Sequence, residues 1–240
     1  MRPQEAALPA AGDRRRHPAT ARLAFFHGPM DCGKSTLALQ IDHNQSRQGR
    51  SGLLLVRHDR SGQPRISTRL GLSRPAVEVT AGMDLRSPVQ ARWAVGGRVD
   101  YLVVDEAQFL DPEQVEQLAD LVDHSCVDVY AFGISTDFRS RLFPGSQRLL
   151  ELADTVSLLQ VEVLCWCGRR GQLNARVVEG RVVREGDTVL VADTVPVADT
   201  VPVPDSGGDA QVRYQVLCRA HHRAGDLGPA VPTPGQLTLG

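Results

Sequence analysis

Gly28-Pro29-Met30-Asp31-Cys32-Gly33-Lys34-Ser35 is the stretch of this 240-residue chain that decides its fold. It fits G-x-x-x-x-G-K-[ST] at every fixed position. Leu23-Ala24-Phe25-Phe26 before it reads as a short apolar strand, and Thr36-Leu37-Ala38-Leu39-Gln40-Ile41 after it reads as the start of a helix. Strand, glycine loop and helix together aim backbone N–H groups and a positive helix end at one point, which suits a phosphate chain. Gly28 to Ser35 and Thr36 are thus expected to wrap a nucleoside triphosphate. Lys34 would reach the β- and γ-phosphates, and the Ser35 hydroxyl would ligate magnesium.

A Walker-B pattern follows in the right chain order. Tyr101-Leu102-Val103-Val104-Asp105-Glu106 is an apolar run ending in two acids. Asp105 would sit at the strand end and hold hydrated magnesium, and Glu106 would face the γ-phosphate and take a proton from an attacking hydroxyl.

Composition narrows the classes. Hydrophobic residues make up 42 % of the chain, enough for a sizeable core. With 27 basic and 28 acidic residues the net charge is −1, against a surface that coats nucleic acid. No apolar run reaches the ~20 residues of a membrane span. The first twenty residues hold Arg14-Arg15-Arg16 without an apolar run behind them, so no secretory signal is read there and the expected location is cytoplasmic. The five cysteines are then expected as metal ligands or buried thiols rather than disulfides.

Between the motifs, the pattern continues as an α/β chain. The helix after the loop should run to about Arg47, with Leu37 and Ile41 on one face and Gly49 as C-cap. Leu53-Leu54-Leu55-Val56 suits a strand buried on both faces of a parallel sheet. Residues 57–71 read as a loop or hairpin past a strand's carboxyl end, where Arg60 and Arg69 either face phosphate or belong to a solvated loop. Asp111-Pro112-Glu113-Gln114 is a helix start with a capping box, and Val115, Leu118 and Val122 mark its buried face. Residues 127–132 read as a strand, and Cys126 beside it as a buried thiol. In the next loop Phe138, Arg139, Arg141 and Phe143 either line a base pocket or pack the loop down.

Past residue 161 the chemistry changes. Cys165-Trp166-Cys167-Gly168 is followed about fifty residues later by Cys218-Arg219-Ala220-His221. Three thiolates and one imidazole suit a closed, structural zinc site, with His222 as the alternative to His221. Between the pairs, residues 176–183 read as a β-hairpin turning at Glu179-Gly180. Val191-Ala192-Asp193-Thr194-Val195-Pro196 is repeated as Val197-Ala198-Asp199-Thr200-Val201-Pro202, a long flexible loop by composition.

Taken together, these motifs resemble the cytosolic-type thymidine kinases, the P-loop and zinc-containing family, over residues 22–223. The resemblance rests on Gly28-Pro29-Met30, Gly33-Lys34-Ser35-Thr36, Asp105-Glu106-Ala107-Gln108-Phe109, Gly133 through Phe143-Pro144-Gly145-Ser146, Cys165-x-Cys167-Gly168-Arg169 and Tyr214-x-x-x-Cys218-Arg219-x-His221. It implies a P-loop parallel sheet flanked by helices (22–160) and a small zinc-stapled β-rich lobe (161–223). That lobe carries a lasso loop at about 190–213, and tails at 1–21 and 224–240 are expected to be disordered.

The resemblance also implies transfer of the ATP γ-phosphoryl group to the 5′-hydroxyl of thymidine, with ATP, Mg2+ and structural Zn2+, in a homotetramer with no nucleic-acid or membrane partner. Glu106 aligns with the general base and Arg60 with an arginine near the transferring phosphate. Gln108, Phe109 and Phe138 fall at the base, and Tyr214 in the lasso. This chain departs from the family at His58, at Cys32 and in the lasso, which carries the repeat and lacks the usual Gly-Gly after Val191. The rival reading is a nucleic-acid-dependent P-loop ATPase with a zinc ribbon.

Overall fold

The computed structural model describes residues 21–57, 63–159, 162–186 and 212–229. Arg60, His58, Asp59, the tandem repeat and nearly all of the expected lasso lie outside these residues, as do most of both expected tails.

The chain opens with β1 (Leu23–His27), the glycine loop and α1 (Lys34–Arg47). It continues through β2 (Gly52–Arg57), β3 (Arg65–Ser67), β4 (Ser73–Pro75), β5 (Val77–Val79), α2 (Arg86–Ala94) and β6 (Tyr101–Asp105). A 3₁₀ turn (Ala107–Phe109) leads to α3 (Pro112–Ser125), β7 (Asp128–Gly133), α4 (Pro144–Leu152) and β8 (Thr155–Leu158). The final elements are β9 (Leu173–Val178), β10 (Arg181–Val183), β11 (Val212–Leu217) and α5 (Arg219–Ala224).

Six strands form one sheet in the order β5-β2-β6-β7-β1-β8, and all of its pairings are parallel. Such a sheet must be covered on both faces, which is why its central strands are continuously apolar. Tyr101, Leu102, Val103 and Val104 of β6 are all 0 % exposed. Alternate residues go to opposite layers. Leu102 and Val104 join Val115, Leu118 and Leu121 of α3, whereas Tyr101 and Val103 join Ala38 and Leu39 of α1. Each fully buried Leu or Val contributes ~1.5–3 kcal/mol.

The α3 start forms as its sequence dictates. Asp111 and Gln114 make the reciprocal capping box with Pro112 in the first turn, and Val115, Leu118 and Val122 are buried. The Gln114 amide also donates to Thr80 O and Met83 O, each at 3.0 Å, so the cap fastens the β5–α2 connection. Two boundaries differ from expectation. The strand expected at 127–132 begins one residue later, and Cys126 is exposed rather than buried. Cys126 takes the left-handed position that ends α3 (φ 54°), which turns its side chain outward from the core.

Residues 57–71 include β3, which pairs antiparallel with β4 to make a small hairpin. Three further strands, in the order β10-β9-β11, form an antiparallel sheet. Its β9–β10 hairpin turns at Glu179-Gly180, where both residues have positive φ. Leu227, counted with the tail in the sequence, packs on this sheet beside Cys165 and Cys218.

Candidate active site and metal centre

The glycine loop leaves the carboxyl end of β1 and enters α1 at Gly33, whose φ of 83° is the left-handed value that glycine adopts without strain. At the other end, a Cβ on Gly28 would stand 2.6 Å from the Cys32 sulfur, so a side chain there is excluded by the inward packing of Cys32. Cys32 is itself 1 % exposed. Asp31 (φ 65°) faces outward and pairs with Arg69 of the β3–β4 turn at 2.6 Å. Arg69 thus meets a loop carboxylate directly.

Lys34 is buried, and its ammonium donates to Pro29 O at 2.9 Å, curling back over the loop. The Ser35 hydroxyl donates to Asp105 Oδ2 at 2.8 Å. Strand order explains the convergence. β6 is separated from β1 by β7 alone, so both strand ends open on the same edge of the sheet. Ser35 and Asp105 offer two hard oxygens beside a triphosphate loop, a donor set that fits magnesium.

Glu106 sits in the left-handed region (φ 54°, ψ 35°), a conformation that costs a non-glycine residue ~1–3 kcal/mol and persists where surroundings fix it. Its N–H donates to Asp105 Oδ1 at 3.0 Å, and its carboxylate accepts from the Gln108 amide. Gln108 is 1 % exposed, and its carbonyl accepts the Ile134 N–H at 3.2 Å. Both ends of the Gln108 amide therefore meet protein groups.

An apolar cluster adjoins the loop. Met30, Ile134, Phe143 and Val216 are buried together, with Phe109, Val163 and Tyr214 packed against them. Phe109 meets Phe143 edge to face at 5.4 Å. Phe138, by contrast, is 1 % exposed, with Arg139 and Arg176 guanidiniums 5.0 and 5.4 Å from its ring centroid. Phe138 is thus buried with two guanidiniums against its ring, whereas Phe109 is only partly buried at the edge of the Met30 cluster.

Asn174 is a residue the sequence did not single out. Its side-chain carbonyl accepts the Met30 N–H at 2.9 Å, so β9 holds the glycine loop in place. A polar residue near the start of a strand-like run was its only signal. His27 was also silent. Its Nδ1 lies 2.6 Å from Ser135 Oγ, joining the root of the loop to the segment after β7, and burial lowers its pKa from the usual histidine value.

Cys165, Cys167, Cys218 and His221 converge, with their ligand atoms all within 4.8 Å of one another. His221 Nδ1 is 3.3 Å from Cys165 Sγ and 3.6 Å from Cys218 Sγ. Tetrahedral zinc with bonds of ~2.3 Å to sulfur and ~2.0 Å to nitrogen needs S···N separations of about 3.5 Å, so these donors fit zinc. The fourth donor of the cluster is His221 and not His222, whose ring faces Phe138 O and Ser140. Two features buttress the set. The Trp166 ring stacks on His221 at 4.3 Å, and Asp226 Oδ2 lies 4.0 Å from His221 Nε2, where a carboxylate would orient a ligating imidazole.

A parallel sheet in this order, with a glycine loop leaving β1 and an acid pair ending β6, defines a P-loop nucleotide-binding protein. Comparison with known proteins gives the family. The family profile described as Thymidine kinase matches residues 21–222. Curated proteins named Thymidine kinase are similar over most of the chain. One from Streptomyces coelicolor is 56 % identical, covering 84 % of this chain and 88 % of its own. Another from Streptomyces avermitilis is 55 % identical with the same coverage, and one from Cutibacterium acnes is 53 % identical, covering 87 % and 91 %. The chain belongs to the thymidine kinase family. Membership makes it an ATP-dependent nucleoside kinase and disfavours the nucleic-acid ATPase alternative. Among the described residues no helix is long and apolar enough to cross a membrane.

Proposed function

We propose that this protein phosphorylates thymidine, or deoxyuridine, at the 5′-hydroxyl with the γ-phosphoryl group of ATP, as a cytoplasmic salvage enzyme. The observation that supports this reading most is the junction at Met30, a residue of the glycine loop that is also part of the apolar cluster with Phe109, Phe143 and Tyr214. A flat, mostly apolar base held there would lie beside the phosphate loop, with Glu106 between them in chain order.

In this mechanism the backbone N–H groups of residues 28–36 and the Lys34 ammonium gather the triphosphate, which exchanges Lys34 from Pro29 O to phosphate oxygens. Ser35 and Asp105 would hold magnesium, which offsets charge on the β- and γ-phosphates when bound. Glu106, steadied by Gln108, accepts the proton of the 5′-hydroxyl as that oxygen bonds to the γ-phosphorus. The bond from that phosphorus to the β,γ-bridging oxygen breaks, and ADP leaves. Arg60 would add a guanidinium at the transferring group. Phe109, the loop carrying Phe138, and Tyr214 would line the base, and with Phe143 they exclude water, which would otherwise take the phosphoryl group. Zinc at Cys165, Cys167, Cys218 and His221 would be structural, and the assembly a homotetramer.

A nucleoside panel tests the reading. Purified protein with ATP and magnesium is incubated with thymidine, deoxyuridine, deoxycytidine, deoxyadenosine and deoxyguanosine, and monophosphates are counted by chromatography. Turnover of thymidine and deoxyuridine alone is expected. No phosphorylated nucleoside, with ATP still bound, would sink it.

A further inference from the structure

We propose that His222 is a positioning residue that fastens the loop carrying Phe138 to the Cys/His cluster, making nucleoside affinity depend on zinc. The proposal rests on the reading of the Phe138 loop as part of the nucleoside site.

Of the last two donors of the cluster, Cys218 caps α5 and His221 lies in its first turn, so a metal held by them would fix that helix. His222 is the next residue, and a step of about 100° around the helix turns it inward, where it is 0 % exposed. Its Nε2 stands 3.0 Å from Phe138 O. A carbonyl only accepts, so Nε2 carries the hydrogen, and Nδ1 is left with a lone pair. That lone pair faces Ser140 Oγ at 3.3 Å, whose hydroxyl can donate to it. The ring is thus held between the Phe138 carbonyl and the Ser140 hydroxyl. The His222 carbonyl in turn accepts from the Arg184 guanidinium at 2.6 Å, tying in the chain just after β10. One residue thus joins α5, the β9–β10 hairpin and the Phe138 loop.

The loop needs such a fastening. It closes on itself around Asp137, whose Oδ1 accepts the N–H groups of Arg139 (2.8 Å) and Arg141 (2.9 Å). Ser140 at its apex has φ 66°, a left-handed value that an L-residue adopts only under constraint. The His222–Ser140 contact acts at the strained residue, and the His222–Phe138 contact acts on the backbone of the aromatic one. Phenylalanine or leucine at position 222 would fill the same space and make neither bond.

The test uses the full-length, zinc-loaded protein with His222→Leu, which fills the space without a donor, and His222→Gln, which retains an N–H donor. Zinc content, amide exchange across residues 136–142, and KM for thymidine and for ATP are measured. In His222→Leu we expect full zinc content, exchange at Arg139 and Arg141 faster by about 10-fold, thymidine KM higher by about 10-fold, and ATP KM within about 2-fold of wild type. His222→Gln should recover most of both losses. Chelating zinc from the wild type should speed exchange of the same amides.

A zinc-replete His222→Leu protein with unchanged exchange and unchanged thymidine KM would overturn the proposal. So would equal rises in the two KM values, which mark general loosening. If His222→Leu does not fold, Ser140→Ala decides, with a rise of about 2–3-fold expected in thymidine KM alone. Wild-type protein that leaves thymidine unphosphorylated would overturn the thymidine reading, and the exchange measurements would still decide whether His222 ties the cluster to the loop.

Discussion

Gln108 bridges the Glu106 carboxylate and the Ile134 N–H with a side chain that is itself buried. This sets the Glu106 carboxylate in one direction, at the end of a strand and in a strained backbone conformation. Glu106→Gln keeps the shape and removes the proton acceptor. It is expected to lower kcat by about 10²-fold or more with ATP affinity little changed. Gln108→Leu should lower kcat by about 10-fold through misorientation of Glu106, again with ATP affinity unchanged. Steady-state kinetics and ATP titration check both, and near-normal turnover in Glu106→Gln would remove it from the proton-accepting role.

The cluster of Cys165, Cys167, Cys218 and His221 adjoins a three-stranded sheet with little apolar interior of its own, which a zinc ion held there would staple. Cys165→Ser is expected to lose zinc and at least ~2 kcal/mol of stability, a fall of about 2–4 °C in Tm per kcal/mol for a chain of this size. Because Trp166 stacks on His221 at 4.3 Å, chelation should also change tryptophan emission with one transition at the same chelator concentration that releases zinc. Wild-type protein purified without zinc by metal analysis would argue against the site.

Much of this was legible because some signals are local. The glycine loop, the acid pair after four apolar residues and the Asp111–Gln114 capping box each need only a short window, and each was found where the pattern placed it. The convergence of Cys165, Cys167, Cys218 and His221 was legible across about fifty residues because a metal site restricts residue type to a few kinds. Residues 57–71 were legible only as a loop or hairpin, and β5 and β8 gave no clear signal. Their strands have three or four residues, and all of β8 is exposed, so no buried alternation marks them. Asn174, His27 and His222 act through partners far away in sequence, and a polar residue's partner is not written beside it. Cys126 was misread because an apolar setting on one side says nothing of a left-handed cap.

That cap offers a stability prediction. Cys126 has φ 54° and is exposed, so its side chain gains no packing while its backbone carries the left-handed cost of ~1–2 kcal/mol. Glycine relieves the cost but loses more entropy on folding, ~0.4–1 kcal/mol. Cys126→Gly should therefore stabilise by about 0.5–1 kcal/mol, read as a higher urea midpoint with an unchanged slope. A lower midpoint would show that the thiol makes a contact of value.

Acid should act on His27. Burial lowers its pKa in the fold, so its imidazole stays neutral there at a pH where the unfolded chain has taken a proton. The unfolded state then binds more protons in the window between the ordinary histidine value of ~6.5 and the lower folded one. Stability falls as pH drops through that window and levels off below it. His27→Gln removes this contribution, so its unfolding free energy should lose less than that of wild type over the same interval. Parallel pH profiles of the two proteins would exclude the effect.

Asp31 and Arg69 are joined at 2.6 Å, but both are nearly half exposed, so their pairing contributes at most ~1 kcal/mol to stability. Its larger consequence concerns charge at the phosphate loop. A carboxylate on a loop built for anions opposes a triphosphate, and the Arg69 guanidinium offsets it. Arg69→Ala leaves the carboxylate uncompensated and should weaken ATP binding by about 3–10-fold. Asp31→Asn leaves the guanidinium unpaired beside the loop and should tighten ATP binding by a few-fold, with Tm nearly unchanged. Both effects act between solvent-exposed groups, so they should shrink as the ionic strength rises from about 0.05 to about 0.5 M. Calorimetric titration of ATP into the wild type and both variants at the two salt concentrations checks this. Equal affinities in all three at low salt would mean that the pair serves only to hold the β3–β4 turn against the loop.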